Sequence, residues 1–221
     1  MKFASLASLA LLSLISISSP AVAQDAKPLS DGKTFAGWVK ADGSAVEPGK
    51  GWEIADGVIH RNAKGGDIFT EKEYGDFELV WEWKLSKGAN SGVKYRVTFY
   101  GKELLGPEYQ MLDDDVHADS KNPTHRTGCI YDLFTAIDNK PVKPIGEWNK
   151  SKIVAKGGKF EHWLNGVKVA ETDTSSESWK AAVAKSKFKN KKDWALNPKG
   201  KIMLQDHGDE IWFRNLTIKE L

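Results

Sequence analysis

Between Asp76 and Leu85 the side chains keep a strict period of two: Phe77, Leu79, Trp81, Trp83 and Leu85 take one set of positions, and Glu78, Val80, Glu82 and Lys84 the other. Successive side chains of a strand point to opposite faces, whereas a helix would scatter these large apolar groups around its axis. One face of this strand must therefore be buried, and the chain has to supply a second layer to bury it. Further short extended runs recur along the sequence. Val93, Tyr95 and Val97 alternate with Lys94 and Arg96 after the turn Lys87 to Gly92, which makes this run the expected antiparallel neighbour of the first. Asp56-Gly57 and Asn165-Gly166 each separate two extended runs, the strongest short-range signal for a hairpin. Gly65-Gly66 leads into Asp67 to Thr70, and Gly157-Gly158 turns the run that begins after Glu147. Gly128 to Phe134 reads as a short strand, and Ile202 to Gln205 with Ile211 to Ile218 as a last hairpin. Ser176 to Lys187 is the helix candidate, with Trp179 and Val183 on one side and its lysines as a solvated face. Many short strands with regular turns predict an all-β sandwich of two antiparallel sheets, with one short helix near 176–187.

The N-terminus reads as an export signal. Lys2 is a positive start, Phe3 to Ile17 is an apolar, Ser-rich core, and Ala21-Val22-Ala23 is a small-x-small cleavage site. The serine-interrupted run is too short to span a bilayer comfortably, so residues 1–23 are expected to be removed and no stable membrane insertion to remain. Residues 24–221 then suit one domain. The formal net charge of +2 argues against nucleic acid as a partner. Cys129 is the only cysteine, so an exported chain must be held by packing rather than by an intrachain disulfide. This fits a periplasm or bacterial cell surface. Nine tryptophans can serve as core or as stacking platforms for sugars.

Gly106-Pro107 punctuates a turn before Glu108-Tyr109-Gln110-Met111-Leu112. On a strand, Glu108 and Gln110 project from one face about 7 Å apart, a carboxylate and an amide aimed into the same space. Asp113 to Thr127 follows as a long polar loop with three successive aspartates, His117 and His125. A loop of that length in a compact domain is usually functional or mobile.

Asn90-Ser91-Gly92-Val93-Lys94-Tyr95-Arg96, Glu108-Tyr109-Gln110, Gly128-x-x-Tyr131, Glu147-Trp148-Asn149, Leu164-Asn165-Gly166, Ser186-Lys187-Phe188, Leu204 to Gly208 and Phe213-Arg214-Asn215 occur in this order. Each is weak alone, but the ordered series is specific. From about Leu29 to Leu221 the chain resembles the 3-keto-disaccharide hydrolase family, long carried as a domain of unknown function. The resemblance implies a concanavalin A-like jelly roll and a carbohydrate substrate already oxidised at C3.

A 3-keto group acidifies the hydrogen on C2. A base can remove it, the C1 oxygen then leaves by β-elimination, and water can add back. This needs a base, a group for the enolate oxygen and a proton donor. Glu108 and His207 are the acid/base candidates and Arg96 the cation for the enolate. Gln110, Gln205 and Tyr131 are candidates to hold hydroxyls, with Asp67 and His125 as further polar groups for substrate. Plainer roles stand beside these: Glu108 pairing with Arg96, His207 stabilising its turn, Tyr131 in the core. No cofactor is required by this route. A divalent metal on Glu108, His207 and a carboxylate such as Asp67 is a second option, although no close H-x-H or H-E-x-x-H spacing occurs. An ordinary retaining glycosidase would need paired carboxylates about 5 Å apart, and Glu108, Gln110 and Asp113 do not present such a pair on one strand face. A non-catalytic carbohydrate-binding or adhesion module is the alternative outside enzymes.

Overall fold

A computed structural model describes residues 25–221; the stretch expected to act as an export signal lies outside them. The strands, in chain order, are β1 (Lys27–Pro28), β2 (Trp38–Val39), β3 (Trp52–Ala55), β4 (Val58–Arg61), β5 (Ile68–Thr70), β6 (Phe77–Leu85) and β7 (Asn90–Tyr100). They continue with β8 (Glu103–Leu105), β9 (Glu108–Leu112), β10 (Asn149–Lys156), β11 (Lys159–Leu164), β12 (Val167–Asp173), β13 (Lys201–Leu204) and β14 (Ile211–Glu220). One α-helix, α1 (Glu177–Lys185), lies between β12 and β13. Ser176 caps it by accepting the Trp179 amide.

The strands form two antiparallel sheets. The larger runs β12-β11-β10-β6-β14-β4-β3, with β1 also on β14; the smaller runs β2-β5-β13-β7-β8, with β9 also on β7. The alternation of β6 is realised in full: Phe77, Leu79, Trp81, Trp83 and Leu85 are buried, and the residues between them are half-exposed. These side chains meet Tyr95, Tyr109, Met111 and Leu204 from the smaller sheet in one core. Edge-to-face rings lock the layers together, as in Trp81 against Tyr109 at 5.0 Å and Tyr95 against Phe160 at 5.2 Å. His162 of β11 crosses between the sheets. Its Nδ1 lies 3.1 Å from the Gly128 carbonyl and must donate to it, so Nε2 accepts from the Tyr95 hydroxyl at 3.1 Å. Burial lowers its pKa to about 4.

The hairpins expected at Asp56-Gly57, Gly157-Gly158 and Asn165-Gly166 all form. Three other expectations are corrected. β6 and β7 do not pair: they lie in opposite sheets, and the chain arches across at Gly88, where φ is +74°. β13 and β14 are likewise separated by an arch rather than joined as a hairpin. Residues 128–134 form no strand; Ile130 makes only isolated bridges to Tyr109 and Phe134, because Gly128 (φ +83°) and Asp132 (φ +61°) bend the chain on either side.

Candidate active site

β9 lies antiparallel to β7, with Glu108 opposite Lys94, Gln110 opposite Gly92 and Leu112 opposite Asn90. Opposed residues share a face. Lys94, Asn90, Glu108 and Gln110 therefore project away from the core, while Tyr109 and Met111 enter it. Glu108 is 4% exposed. Its carboxylate lies across β7 because residue 92 is glycine: a Cβ there would fall 2.4 Å from Glu108 Oε1. Lys94 Nζ approaches Oε2 at 3.6 Å. Gln110 Nε2 donates to Asn90 Oδ1 at 3.2 Å, which fixes the amide and leaves Gln110 Oε1 buried without a protein partner. Gln205 Oε1 is in the same condition.

His207 is delivered by the arch after β13. Asp206 anchors that arch: Oδ2 accepts the Gly65 and Gly66 amides, each at 2.7 Å, Oδ1 accepts Gly208 N at 3.1 Å, and Arg61 Nε closes on Oδ1 at 2.7 Å. Burial works to raise the Asp206 pKa, but the glycine amides and Arg61 outweigh it and hold the carboxyl below its usual range. Gly208 takes φ +111°, open only to glycine without strain, and this turns the chain sharply after His207. No hydrogen bond among the described residues engages the His207 ring.

Tyr131 reaches the same place from the bent segment, its amide donating to the Glu108 carbonyl at 3.1 Å. Lys187, just past α1, extends an otherwise exposed side chain until its ammonium rests 4.2 Å from the Tyr131 ring centroid. Desolvation there lowers the Lys187 pKa, against the opposing charge of Glu108. Burial raises the Tyr131 pKa, helped by the charges of Asp119 and Glu108.

Asn90, Glu108, Gln110, Tyr131, Lys187, Gln205 and His207 line one recess of about 50 Å³. That volume admits a few water-sized groups, not a sugar ring. The recess can therefore grip the reacting edge of a ligand lying over it. A hollow of 530 Å³ lies between Pro28–Asp31 and Thr70–Tyr74, but it holds no such convergence of orphaned amide oxygens, carboxylate, imidazole and ammonium. Chemistry, not volume, marks the site.

Of the residues expected from sequence, Glu108, Gln110, Tyr131, Gln205 and His207 meet here. Asp67 and His125 stand beside the lining. Asp67 Oδ1 accepts the Asp206 amide at 2.9 Å; burial raises its pKa, opposed by Lys94 and His207. Arg96 is not in the recess. Tyr95 and Arg96 together face the single residue Ile202 of β13, a bulge that places Arg96 at φ +47° and turns its side chain away. The guanidinium donates instead to Gly75 O at 3.0 Å, Gly157 O at 2.7 Å and Asp76 Oδ1 at 2.9 Å. Lys94, Lys187 and Asn90 were missed. Lys94 and Asn90 stand in the same sequence motif as Arg96, and the expectation of unbroken alternation put the wrong cation on the site. In sequence Lys187 reads as part of a solvated lysine face at the end of a helix.

Glu108 and His207 are the lining groups suited to a divalent ion. Among the described residues no three His, Cys, Asp or Glu side chains converge as a ligand set.

Residues 25–219 match the model of the 3-keto-alpha-glucoside-1,2-lyase-like domain. A 3-keto-disaccharide hydrolase of Bacteroides thetaiotaomicron is 37% identical, over 86% of this chain and 77% of its own length. Two crystal structures from Parabacteroides distasonis, each described as a candidate glycosyl hydrolase, share the fold and about a third of the sequence. One is 37% identical with a TM-score of 0.77, covering 87% of this chain and 92% of that one. The other is 33% identical with a TM-score of 0.73, covering 89% of this chain and all of that one. This jelly-roll chain is thus a glycosidase, and it belongs to the family of 3-keto-alpha-glucoside-1,2-lyase-like domains.

Proposed function

We propose that this protein cleaves glycosides already oxidised at C3 of the sugar, by proton abstraction at C2, elimination and hydration. The observation that carries this reading is the unequal charge of the recess. Glu108 is the one carboxylate in its lining, with His207 and the Lys187 ammonium around the same small volume. Ordinary retaining hydrolysis needs two carboxylates across the scissile bond. Elimination from a 3-keto sugar needs one base, one cation and one proton donor.

Glu108 takes the C2 proton. The C2–H electron pair moves into the C2–C3 bond and the carbonyl oxygen becomes an enolate oxygen, stabilised by the Lys187 ammonium in the role first expected of Arg96. As the enolate collapses, the C1–O bond breaks and the leaving oxygen takes a proton from His207. The product is a 1,2-unsaturated 3-keto sugar, and water adding across C1 and C2 completes hydrolysis. The unpartnered oxygens of Gln110 and Gln205 accept hydrogen bonds from sugar hydroxyls. A substrate lacking those donors would leave both oxygens buried and unpaired, a strong basis for rejection. Residues 1–23 read as an export signal, which supports a reaction in the periplasm or at the cell surface; fractionation of the producing cell tests this.

The functional test is incubation with a panel of 3-keto-disaccharides beside their unoxidised parents. The expected result is release of sugar from the keto compounds alone. Efficient cleavage of the parents would refute the mechanism. Saturable binding of sugars with no turnover of either set would favour a binding module.

A further inference from the structure

The loop 113–127 supplies no group to the recess, yet it is tightly built. It forms two short 3-10 turns, Ala118–Lys121 and Pro123–His125, with His117 and Asn122 accepting the amides of Asp119 and Thr124. Its product is a fixed imidazole. His125 is 14% exposed; Nδ1 lies 2.8 Å from Asp119 Oδ1, and Nε2 lies 3.1 Å from both Asp132 Oδ1 and Asn122 Nδ2. The ring stacks on Tyr131 with centroids 4.3 Å apart and planes 26° apart. The same Tyr131 ring carries the Lys187 ammonium. Asp132 ties the two together: while Oδ1 faces His125, Oδ2 accepts the Lys187 backbone amide at 2.8 Å. Asp132 holds φ +61°, a left-handed conformation that Asp tolerates better than most side chains and that aims its carboxylate between the two partners.

We propose that His125 is a positioning residue, which sets the Lys187 ammonium through the Tyr131 stack and the Asp132 bridge. It touches no substrate. Its effect reaches the reaction only through Lys187, so the kinetic part of this proposal rests on the role given to Lys187 above. Removing His125 frees the Tyr131 ring to rotate and slackens Asp132, and the ammonium loses its fixed place. Displacements of about 1 Å at a reacting centre cost up to about 100-fold in rate.

The test compares His125→Ala, Lys187→Met and the double variant in the full chain, with a 3-keto-disaccharide as substrate. His125→Ala should lower kcat by about 10- to 100-fold with KM nearly unchanged, since a transition-state contact is lost. The double variant should be no slower than Lys187→Met alone, because the two act as a unit. Losses that multiply, or a lowered Tm with unchanged kcat, would overturn the proposal. Should His125→Ala fail to fold, Asp132→Asn keeps the shape while weakening the bridge and should lower kcat in the same way. The second readout is the NMR titration of the reductively methylated Lys187 amine, which needs no turnover. It should shift between wild type and His125→Ala, and an identical titration would overturn the coupling. A wild-type protein that cleaves no keto substrate while this titration shifts would sink the reading of the reaction and leave the brace standing.

Discussion

The two sheets are made differently. In the larger one, β3–β4, β10–β11 and β11–β12 are tight hairpins between sequence neighbours, closed by Asp-Gly, Gly-Gly and Asn-Gly. In the smaller one β7 takes β8 and β9 from the segment that follows it, while β2–β5, β5–β13 and β13–β7 bring together distant segments. Both sheets contain bulges, at Arg214/Thr217 in the larger and at Lys201/Met203 in the smaller. The recess is built on the smaller one, from β7, β9, the arch after β13 and the bent segment at Tyr131. Regular hairpins give a stable wall, and long-range pairing gathers polar groups that no local segment could assemble. The larger sheet should accordingly govern stability and the outer face of the smaller one the chemistry.

The largest stability effect is expected at Trp83, fully buried on β6 with Nε1 donating to Ser151 Oγ at 2.8 Å. Trp83→Ala should cost about 3–5 kcal/mol in chemical denaturation, with KM unchanged for the fraction still folded. A changed KM with an unmoved midpoint would break the division between the sheets. Arg96 sharpens the division, because it sits on β7 but serves the wall. Arg96→Leu should cost about 1–3 kcal/mol, from the lost hydrogen bonds of a guanidinium that is itself buried, since the half-buried Gly75 and exposed Gly157 carbonyls can turn to water and the part-exposed Asp76 pair contributes little. Its kcat should be that of wild type; a large loss of kcat at full stability would return Arg96 to the mechanism.

The third effect is a pH dependence at His162, which joins the two sheets. Its pKa is lowered to about 4, against an unfolded value near 6.5. The unfolded chain therefore binds a proton that the folded chain refuses. Stability from this group is complete above about pH 6.5 and is lost as pH falls toward 4, by about 3 kcal/mol. Denaturation at stepped pH should show this slope, and His162→Gln should flatten it relative to wild type. Parallel profiles for the two proteins would mean that His162 is not the titrating link.

Period and turn chemistry made the wall legible in sequence. The alternation of β6 and the Asp-Gly and Asn-Gly turns are local facts with local consequences. The arches at Gly88 and after Gln205 were not legible, because a turn between sheets and a turn within one use the same residues. At the site, Glu108 and Gln110 were readable from the two-residue period, and their order among the other motifs supplied Tyr131, Gln205 and His207. Arg96 was misplaced for a physical reason: one extra residue in β7 reverses the facing of everything beyond it, and nothing in Tyr95-Arg96-Val97 announces the bulge. Lys187 stands in the same ordered series, as Ser186-Lys187-Phe188, but a lysine after a helix ordinarily meets water, and the packing of Tyr131 beneath it is what gives it a place at the site.

The most direct measurement of the central claim is the turnover of a 3-keto-glucoside, with hydrogen or deuterium at C2, by wild type and by Glu108→Gln. The substitution is nearly isosteric, so the thermal midpoint should stay close to that of wild type. The account predicts a fall in kcat of at least about 100-fold, and a slower wild-type rate with deuterium wherever proton removal limits turnover. Full activity in Glu108→Gln would contradict it and move the base to His207.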